Sequence, residues 1–557
     1  MDITPANVSV QPRSRSRSRT RNSTANSRST SSTRRPSVGK RSLSSSSLTK
    51  LVVTPTNIDH EKSVPTVSAT LDNSLPLDFF KQDLIALVKT LKISKWHKRQ
   101  LTISNLVVNR ISGALTNSIY RIEYYDSQQN LSLPTLLLRV YGKNVEELID
   151  RDSELATLIK LSQKRIGPRL LGIFANGRFE QFLDGFITLN KVQIRDEIIS
   201  QMLGRRMKDL HYKIELDLHD VLSDLPTAWR LIFKWLKLFE EEYLPGYTKN
   251  NFDPKDVFFV EFGRFKEIVN LYKNWLFDKY DKESFSSNYK FCHNDTQYGN
   301  LLLHESFNPE DILVETPVPS TPTDESTPVI KSTSNKNDSK LVVIDFEYSG
   351  ANFPAFDLVN HFSEWMADYH DEEKSYYIHE DKYPTQLQQL NLIKSYIEYD
   401  FQFPSSNLKT PNTPEQLLNG TADASELIQY EIKKMYNECI YWRATVQIFW
   451  CLWGVIQNGP LKPSSPASPN PNGFAEDGID STYNIITGVE SVSLDGNVVV
   501  EEAISSSDDD FDYLKYSQQK VAIIVGELIS FGLIKKEEID EKYWDIIKYL
   551  DVKTLDI

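Results

Sequence analysis

Phe291-Cys-His-Asn-Asp-Thr-Gln-Tyr-Gly-Asn-Leu-Leu302 and Leu341-Val-Val-Ile-Asp-Phe-Glu347 together decide the fold. The first stretch carries His293, Asn294 and Asp295, with Asn300 five residues beyond the aspartate. The second is an apolar strand that delivers Asp345. One carboxylate to accept a hydroxyl proton, then an amide and a second carboxylate to hold Mg²⁺ against nucleotide phosphates, are the parts that phosphoryl transfer requires. A lone His-Asn-Asp is a weak signal. H-N-D-x-x-x-x-N followed by apolar-Asp-Phe-Glu is far more specific than either half.

Upstream of this pair, two strand-like runs, Leu101–Val108 and Ser118–Tyr125, flank the turn Ser112-Gly-Ala-Leu-Thr-Asn117. A small polar turn can close over phosphates with its backbone N–H groups, or it can be a plain hairpin loop. The next strand, Leu136-Leu-Leu-Arg139-Val-Tyr-Gly142, sets one cation in an apolar run. A buried guanidinium needs an anion. The candidates are phosphate oxygens or the carboxylate of Glu154, which lies on the helical pattern from Glu147 to Leu161. Protein kinases arrange a strand lysine and a helix glutamate in this way; the plainer reading is a structural salt bridge. Leu170 to Leu183 reads as two strands turning at Asn176-Gly177, and its end, Glu180-Gln-Phe-Leu183, is where a hinge between lobes falls.

From Ile194 onward the periodicity is mainly helical, with helices expected over 196–210, 227–242, 254–280, 356–369, 424–457, 511–531 and 537–550. In the fifth of these, Trp442, Val446, Phe449, Trp450 and Trp453 form a stripe, which in most proteins is core. Two low-complexity insertions, 304–340 and 459–510, have no periodicity. Closing a long loop costs only slowly more with length, so the two halves of the motif can still meet across the first insertion.

The chain of 557 residues is 40% hydrophobic, enough for a sizeable core, and carries a net charge of −13. That charge is uneven. Residues 1–50 hold eleven Lys/Arg and one acidic residue, leaving 52 basic against 75 acidic residues in the remainder, a net −23. So acidic a body repels phosphate backbones, and no nucleic acid is expected as its partner. Residues 1–75 are Ser/Arg/Thr-rich and read as a disordered tail. Arg13-Ser-Arg-Ser-Arg-Ser-Arg19 suits RNA or an anionic membrane, or more plainly a solvated tail. Arg34-Arg-Pro-Ser37 matches the preference of a basophilic protein kinase and makes Ser37 a candidate phosphorylation site. The three cysteines, Cys292, Cys439 and Cys451, have no metal-like spacing and suit a reducing, cytoplasmic setting. No apolar run reaches membrane-spanning length, and Val521–Ile534, the longest, is broken by Glu527.

His293-Asn-Asp-Thr-Gln-Tyr-Gly-Asn-Leu-Leu302, Val343-Ile-Asp-Phe-Glu-Tyr348, Asp357-Leu-Val-Asn-His-Phe-Ser-Glu-Trp365, and Trp442-Arg443 through Phe449-Trp-Cys-Leu-Trp453 resemble the choline/ethanolamine kinases, most of all the fungal choline kinases. The first motif is shared with aminoglycoside phosphotransferases; the later ones narrow the match. The resemblance runs from about Pro76 to the C-terminus, apart from the insertions. It implies an α+β, two-lobed, protein-kinase-like fold, with a small β-rich N-lobe (76–183) and a large, mainly helical C-lobe (184–557). It also implies ATP-dependent phosphorylation of choline, with some activity on ethanolamine. Carried over residue by residue, Asp295 is the catalytic base, and Asn300 and Asp345 hold Mg²⁺. ATP falls to Ser112, Gly113, Thr116, Asn117, Arg139, Gln181, Phe182, Leu183 and Gln297. His293 braces the catalytic loop and Glu154 supports Arg139.

For the acceptor, the resemblance points to Tyr369, Trp450, Trp453 and Tyr513, with Glu364 as the negative partner. A trimethylammonium has no N–H to donate, so aromatic faces hold it better than hydrogen-bond acceptors do. Ethanolamine has three N–H donors and favours carboxylates, so the aromatic set leans toward choline. An ethanolamine kinase is the close alternative. An antibiotic phosphotransferase fits the Trp-rich C-terminal half poorly. A regulatory protein with an inactive kinase body is opposed by the presence of Asp295, Asn300 and Asp345. Family members are commonly dimers, which allows a homodimer here.

Overall fold

In a computed structural model, the described residues are 53–55, 64–141 (apart from 115, 116 and 129), 151–249 (apart from 165), 252–459 (apart from 315–331 and 412) and 511–557. The readings placed on Arg13–Arg19, on Ser37, on Thr116 and on the second insertion past Gly459 lie outside them.

The N-terminal part is built on one twisted sheet. Its strands are β1 (Val53–Pro55), β2 (Pro65–Val67), β3 (Leu106–Ala114), β4 (Asn117–Asp126), β5 (Leu131–Ser132), β6 (Leu136–Tyr141), β7 (Leu170–Phe174) and β8 (Gly177–Gln181). They run in the order β1-β2-β7-β8-β6-β4-β3, with β5 paired to β4. The ladders are antiparallel except that of β2 on β7. Alternation along β6 sends Leu136, Leu138 and Val140 into one face. There they share a core with Phe80, Leu84, Leu87 and Val88 of helix α1 (Leu77–Thr90), which recur at helical spacing. Arg139, between them, points to the opposite face.

The folded chain starts earlier than the composition suggests. A tail reaching to residue 75 is corrected by β2 and by Val64, Val67, Ala69 and Leu71, all buried. Leu71 also exchanges two hydrogen bonds of 2.8 Å with the Asn176 side chain. Four apolar residues among serines and threonines are too few to register as a core on their own; here they add to an existing sheet edge.

Residues 182–185 join the large sheet to β9 (Phe186–Thr188), which belongs to a second, three-stranded sheet ordered β14-β11-β9. The expected hinge at Gln181, Phe182 and Leu183 is therefore the covalent link between the two lobes. The remaining strands used below are β10 (Lys290–Cys292), β11 (Leu301–His304), β12 (Leu313–Val314), β13 (Ser332–Thr333), β14 (Leu341–Val343) and β15 (Gly350–Asn352). The longer helices after α1 are α2 (Arg151–Lys164), α3 (Glu197–Lys213), α4 (Thr227–Leu238), α5 (Phe262–Phe277), α6 (Pro354–Glu364), α7 (Gln386–Glu398), α8 (Ala424–Gln457) and α9 (Tyr513–Ser530). The helix expected to run to Tyr369 ends at Glu364, and the one expected over 537–550 is replaced by two 3₁₀ pieces, Lys536–Glu538 and Glu541–Ile546.

The edges of the first insertion are structured. β12 pairs with β13, and Arg205 of α3 grips Asp338 with Nε and Nη2 at 2.7 and 2.8 Å. Two-residue strands have no readable periodicity, and this ion pair joins residues far apart in sequence. Residues 315–331, the rest of that insertion, lie outside the described ones.

Helix α8 is the axis of the C-terminal lobe, packed by α4, α6, α7 and α9. It is long and apolar enough to cross a membrane, contrary to the expectation that no run is, but 89% of its most apolar window is buried within the protein. α9 comes closest to it at Gly454, where an added Cβ would lie 2.3 Å from Ser517 Oγ and 3.2 Å from the Tyr513 carbonyl. Ser517 cannot swing aside freely, since its hydroxyl bonds the Cys451 and Tyr513 carbonyls. Gly454→Ala is expected to cost about 1–3 kcal/mol through overpacking, read as a lower denaturant midpoint at unchanged slope.

Candidate active site

The two halves of the motif meet as paired strands. β10 runs antiparallel to β15, with Cys292 opposite Gly350, and β11 runs antiparallel to β14, with Leu301 opposite Val343. Each ladder takes one strand from either side of the insertion, so the loop 293–300 and the turn at Asp345 are locked together. Asn294 (φ 67°) and Asp345 (φ 65°) both adopt left-handed backbone. Residues with a Cβ hold it only where their surroundings over-determine it.

Those surroundings centre on Asp357, fully buried in the first turn of α6. Its carboxylate accepts the backbone N–H groups of His293 and Asn294, each at 2.8 Å, and His211 Nε2–H at 3.0 Å. Burial opposes the charge on Asp357, but the hydrogen bond and field of His211 keep its pKa below the usual carboxylate range. Burial lowers the pKa of His211, leaving it neutral; with its proton on Nε2, Nδ1 accepts from Tyr396 of α7 at 2.8 Å. The Asn294 side chain donates to the Tyr348 carbonyl and accepts from Asn352 Nδ2, both at 2.9 Å.

His293 ties the halves together once more. Its Nδ1 accepts from the Asp295 N–H at 3.2 Å, so its hydrogen sits on Nε2, which donates to the Ile344 carbonyl at 2.9 Å. Burial lowers its pKa. Both ring nitrogens are occupied by bonds to the loop and to the turn at Asp345. Asn300 Nδ2 donates to Asp295 Oδ2 at 2.9 Å and to its carbonyl at 3.0 Å. That leaves the Asn300 amide oxygen pointing elsewhere. Gln297, expected to face nucleotide, spends its side-chain oxygen on the Gly299 N–H at 3.0 Å. Burial, then the fields of Glu364 and Asp345, hold Asp295 well above the usual carboxylate pKa. It is therefore a stronger base than an exposed aspartate.

On the sheet side, Arg139 Nη1 lies 3.4 Å from Asp345 Oδ1. The Glu154 carboxylate, expected beside Arg139, pairs directly with Arg178 Nη1 at 2.9 Å while its field also reaches Arg139, and Arg178 Nε meets Glu180 at 2.5 Å. Arg139 and Arg178 are register partners on β6 and β8, so α2 had two guanidiniums within reach. The β3–β4 hairpin carries Ser112, Gly113 and Asn117 at its tip, with Gly113 opposite Ser118. Arg121 lies 5.0 Å over the Phe182 ring.

The expected acceptor residues do converge. Tyr369 OH donates to Glu364 Oε2 at 2.9 Å. Trp450 and Trp453 meet edge to face at 5.5 Å, and Tyr513 lies 5.8 Å from Trp453. Sequence reasoning missed three neighbours. Tyr348 packs on Trp450 at 5.4 Å and accepts from Trp453 Nε1 at 2.8 Å, while Tyr516 of α9 and Phe511, just before that helix, continue the wall. Tyr516 was findable three residues after Tyr513 on the same helix face. Trp450 Nε1 is anchored on Asn360 of α6 at 2.7 Å. Trp365 and Trp442 are core, as expected, bonded to His361 and Tyr280. Asp357 was missed as well; a lone carboxylate on the apolar helix Phe356–Phe362 was its signal.

Two sequence families match the chain: one described as choline/ethanolamine kinase over residues 108–525, and one described as choline kinase N terminus over 55–105. The chain is 38% identical to the choline kinase of Saccharomyces cerevisiae over 88% of its own length and 82% of that protein's. It is 32% identical to the ethanolamine kinase of the same yeast, over 88% of this chain and 83% of that one. Among solved structures it resembles a choline kinase from Cryptosporidium parvum with a TM-score of 0.52 and 18% identity, covering 82% of this chain and 98% of that one. This last likeness concerns the fold, two-lobed and protein-kinase-like.

Proposed function

The chain belongs to the choline/ethanolamine kinase family, and from that premise we infer that it phosphorylates choline at the expense of ATP, with ethanolamine as a lesser acceptor. The observation that carries this reading is Asp295, a strengthened base whose carboxylate feels Glu364, itself set against an aromatic wall. The choline hydroxyl lies beside Asp295, which orients it and takes its proton as the phosphoryl group transfers. The trimethylammonium rests on the faces of Trp450, Trp453, Tyr369 and Tyr513, with Glu364 as counter-charge. Ethanolamine enters the same pocket but leaves N–H donors facing rings.

Asn300 and Asp345 are the residues that would hold Mg²⁺. The fit is supported by the donors: one amide oxygen left over once Nδ2 is bonded to Asp295, and one carboxylate, an all-oxygen set suited to a hard cation. When bound, the ion neutralises charge on the phosphates. Arg139 adds a guanidinium from the sheet, and the Ser112–Asn117 hairpin supplies backbone N–H groups. The route is phosphocholine supply for phosphatidylcholine synthesis. A cytoplasmic setting is supported by three free, buried cysteines; the homodimer rests on family habit.

The choline end is tested by Trp453→Ala and Trp450→Ala. A desolvated cation–π contact is worth about 2 kcal/mol, so the choline KM is expected to rise about tenfold or more while the ATP KM stays put. Trp450 also anchors α6 through Asn360, so its variant should lose stability too. If both KM values stay fixed and only melting temperature falls, the stripe is core and the acceptor site lies elsewhere.

A further inference from the structure

Lys520 lies on α9, one turn beyond Tyr516 of the aromatic wall. It is fully buried, and among the described residues its Nζ has no hydrogen-bond partner. The Tyr516 ring lies 5.0 Å from it. Three further groups act on it from the surrounding elements: the carboxylate of Glu364 at the end of α6, the Cys451 thiol of α8, and the Lys548 ammonium of the C-terminal segment. Lys548 has its own counter-ion, Glu380, at 2.8 Å. Glu364 in turn receives only Tyr369 OH as a hydrogen bond among the described contacts, and feels Lys520 as its cation. A buried ammonium without hydrogen bonds is costly, and this one lies within the field of the carboxylate assigned to the acceptor's cation.

We propose that Lys520 is a positioning residue that shares Glu364 with the substrate's quaternary ammonium and thereby sets the enzyme's affinity for choline. This rests on the reading of Glu364 and the aromatic wall as the choline site. With Lys520 protonated, the pair is neutral, and an entering quaternary cation meets an already compensated carboxylate and a like charge. With Lys520 neutral, Glu364 serves the substrate alone. Burial pushes Lys520 down to about 8, while Glu364 pulls the other way. The cation is thus present below about pH 8 and lost above it, so choline affinity rises as pH passes upward through that value. Choline has no group that titrates there. The same burial raises the Glu364 pKa, against the opposing pull of Lys520 and of the Tyr369 hydrogen bond.

The test is the choline KM and ATP KM of the full chain between about pH 6.5 and 9.5, for wild type, Lys520→Met and Lys520→Arg. The wild-type choline KM is expected to fall about three- to tenfold across the range, as a like charge is removed from a partly buried site. Lys520→Met gives the low value at every pH, because no cation competes. Lys520→Arg keeps the high value throughout, because guanidinium does not deprotonate. The ATP KM is unchanged in all three. A Lys520→Met choline KM at or above wild type at neutral pH, restored by Arg, would make Lys520 a mere support for Glu364 and overturn the proposal. So would a wild-type pH profile that Lys520→Met leaves intact. Should Lys520→Met fail to fold, the Arg variant decides: a KM that still falls with pH sinks the idea. Failure of the functional reading looks different, since wild type would then not turn over choline at all.

Discussion

Replacing Asp295 by alanine is expected to lower kcat for phosphocholine formation by about 10²–10⁴-fold, with the fold retained. That is a loss of about 3–5 kcal/mol of transition-state stabilisation. The retention of fold follows from what the carboxylate touches: Asn300 Nδ2 loses one of two acceptors, and the other, the Asp295 backbone carbonyl, stays. The loop itself is held by backbone bonds to Asp357 and His293, which the substitution spares. Circular dichroism and melting temperature should therefore track wild type while steady-state turnover collapses. Turnover near the wild-type rate would mean that another group takes the proton, or that the site lies elsewhere.

Asp357→Ala should act oppositely, through structure first. The residue is fully exclusive of solvent and never touches substrate in the reading given above. Its removal strands the His293 and Asn294 N–H groups and the His211 imidazole in a dry interior. Breaking a buried charged network of this kind costs about 3–5 kcal/mol, and each orphaned donor adds its own desolvation penalty. Asn294 could then leave its left-handed backbone, and Asp295 would lose its aim. Both stability and kcat are expected to fall together, in contrast to the clean separation at Asp295. A variant that kept its denaturant midpoint would show that the loop is held by something other than Asp357.

The reach of the sequence can be judged from particular residues. Asp295, Asn300 and Asp345 were legible because spacing constrains them: a loop of fixed length between two strands must present these side chains together. The convergence of Glu364, Tyr369, Trp450, Trp453 and Tyr513 needed family resemblance, because a tryptophan three residues from another is a core stripe by periodicity alone. His211 and Tyr396 were beyond reach. They arrive from α3 and α7 to buttress Asp357, and nothing local in their helices marks them. Arg178 was missed for a related reason. Two arginines on adjacent strands share the field of Glu154, and that arrangement depends on sheet register, which the sequence leaves open. The early start of the fold escaped because edge strands borrow their core from the sheet they join.

Phosphoryl transfer to choline is best tested by incubating the purified chain with ATP, Mg²⁺ and either choline or ethanolamine, and measuring kcat/KM for each phosphorylated product. Turnover of both is expected, with choline the better substrate, because a wall of aromatic rings suits a cation that has no N–H to satisfy. Absence of choline turnover, or a clear preference for ethanolamine, would contradict it.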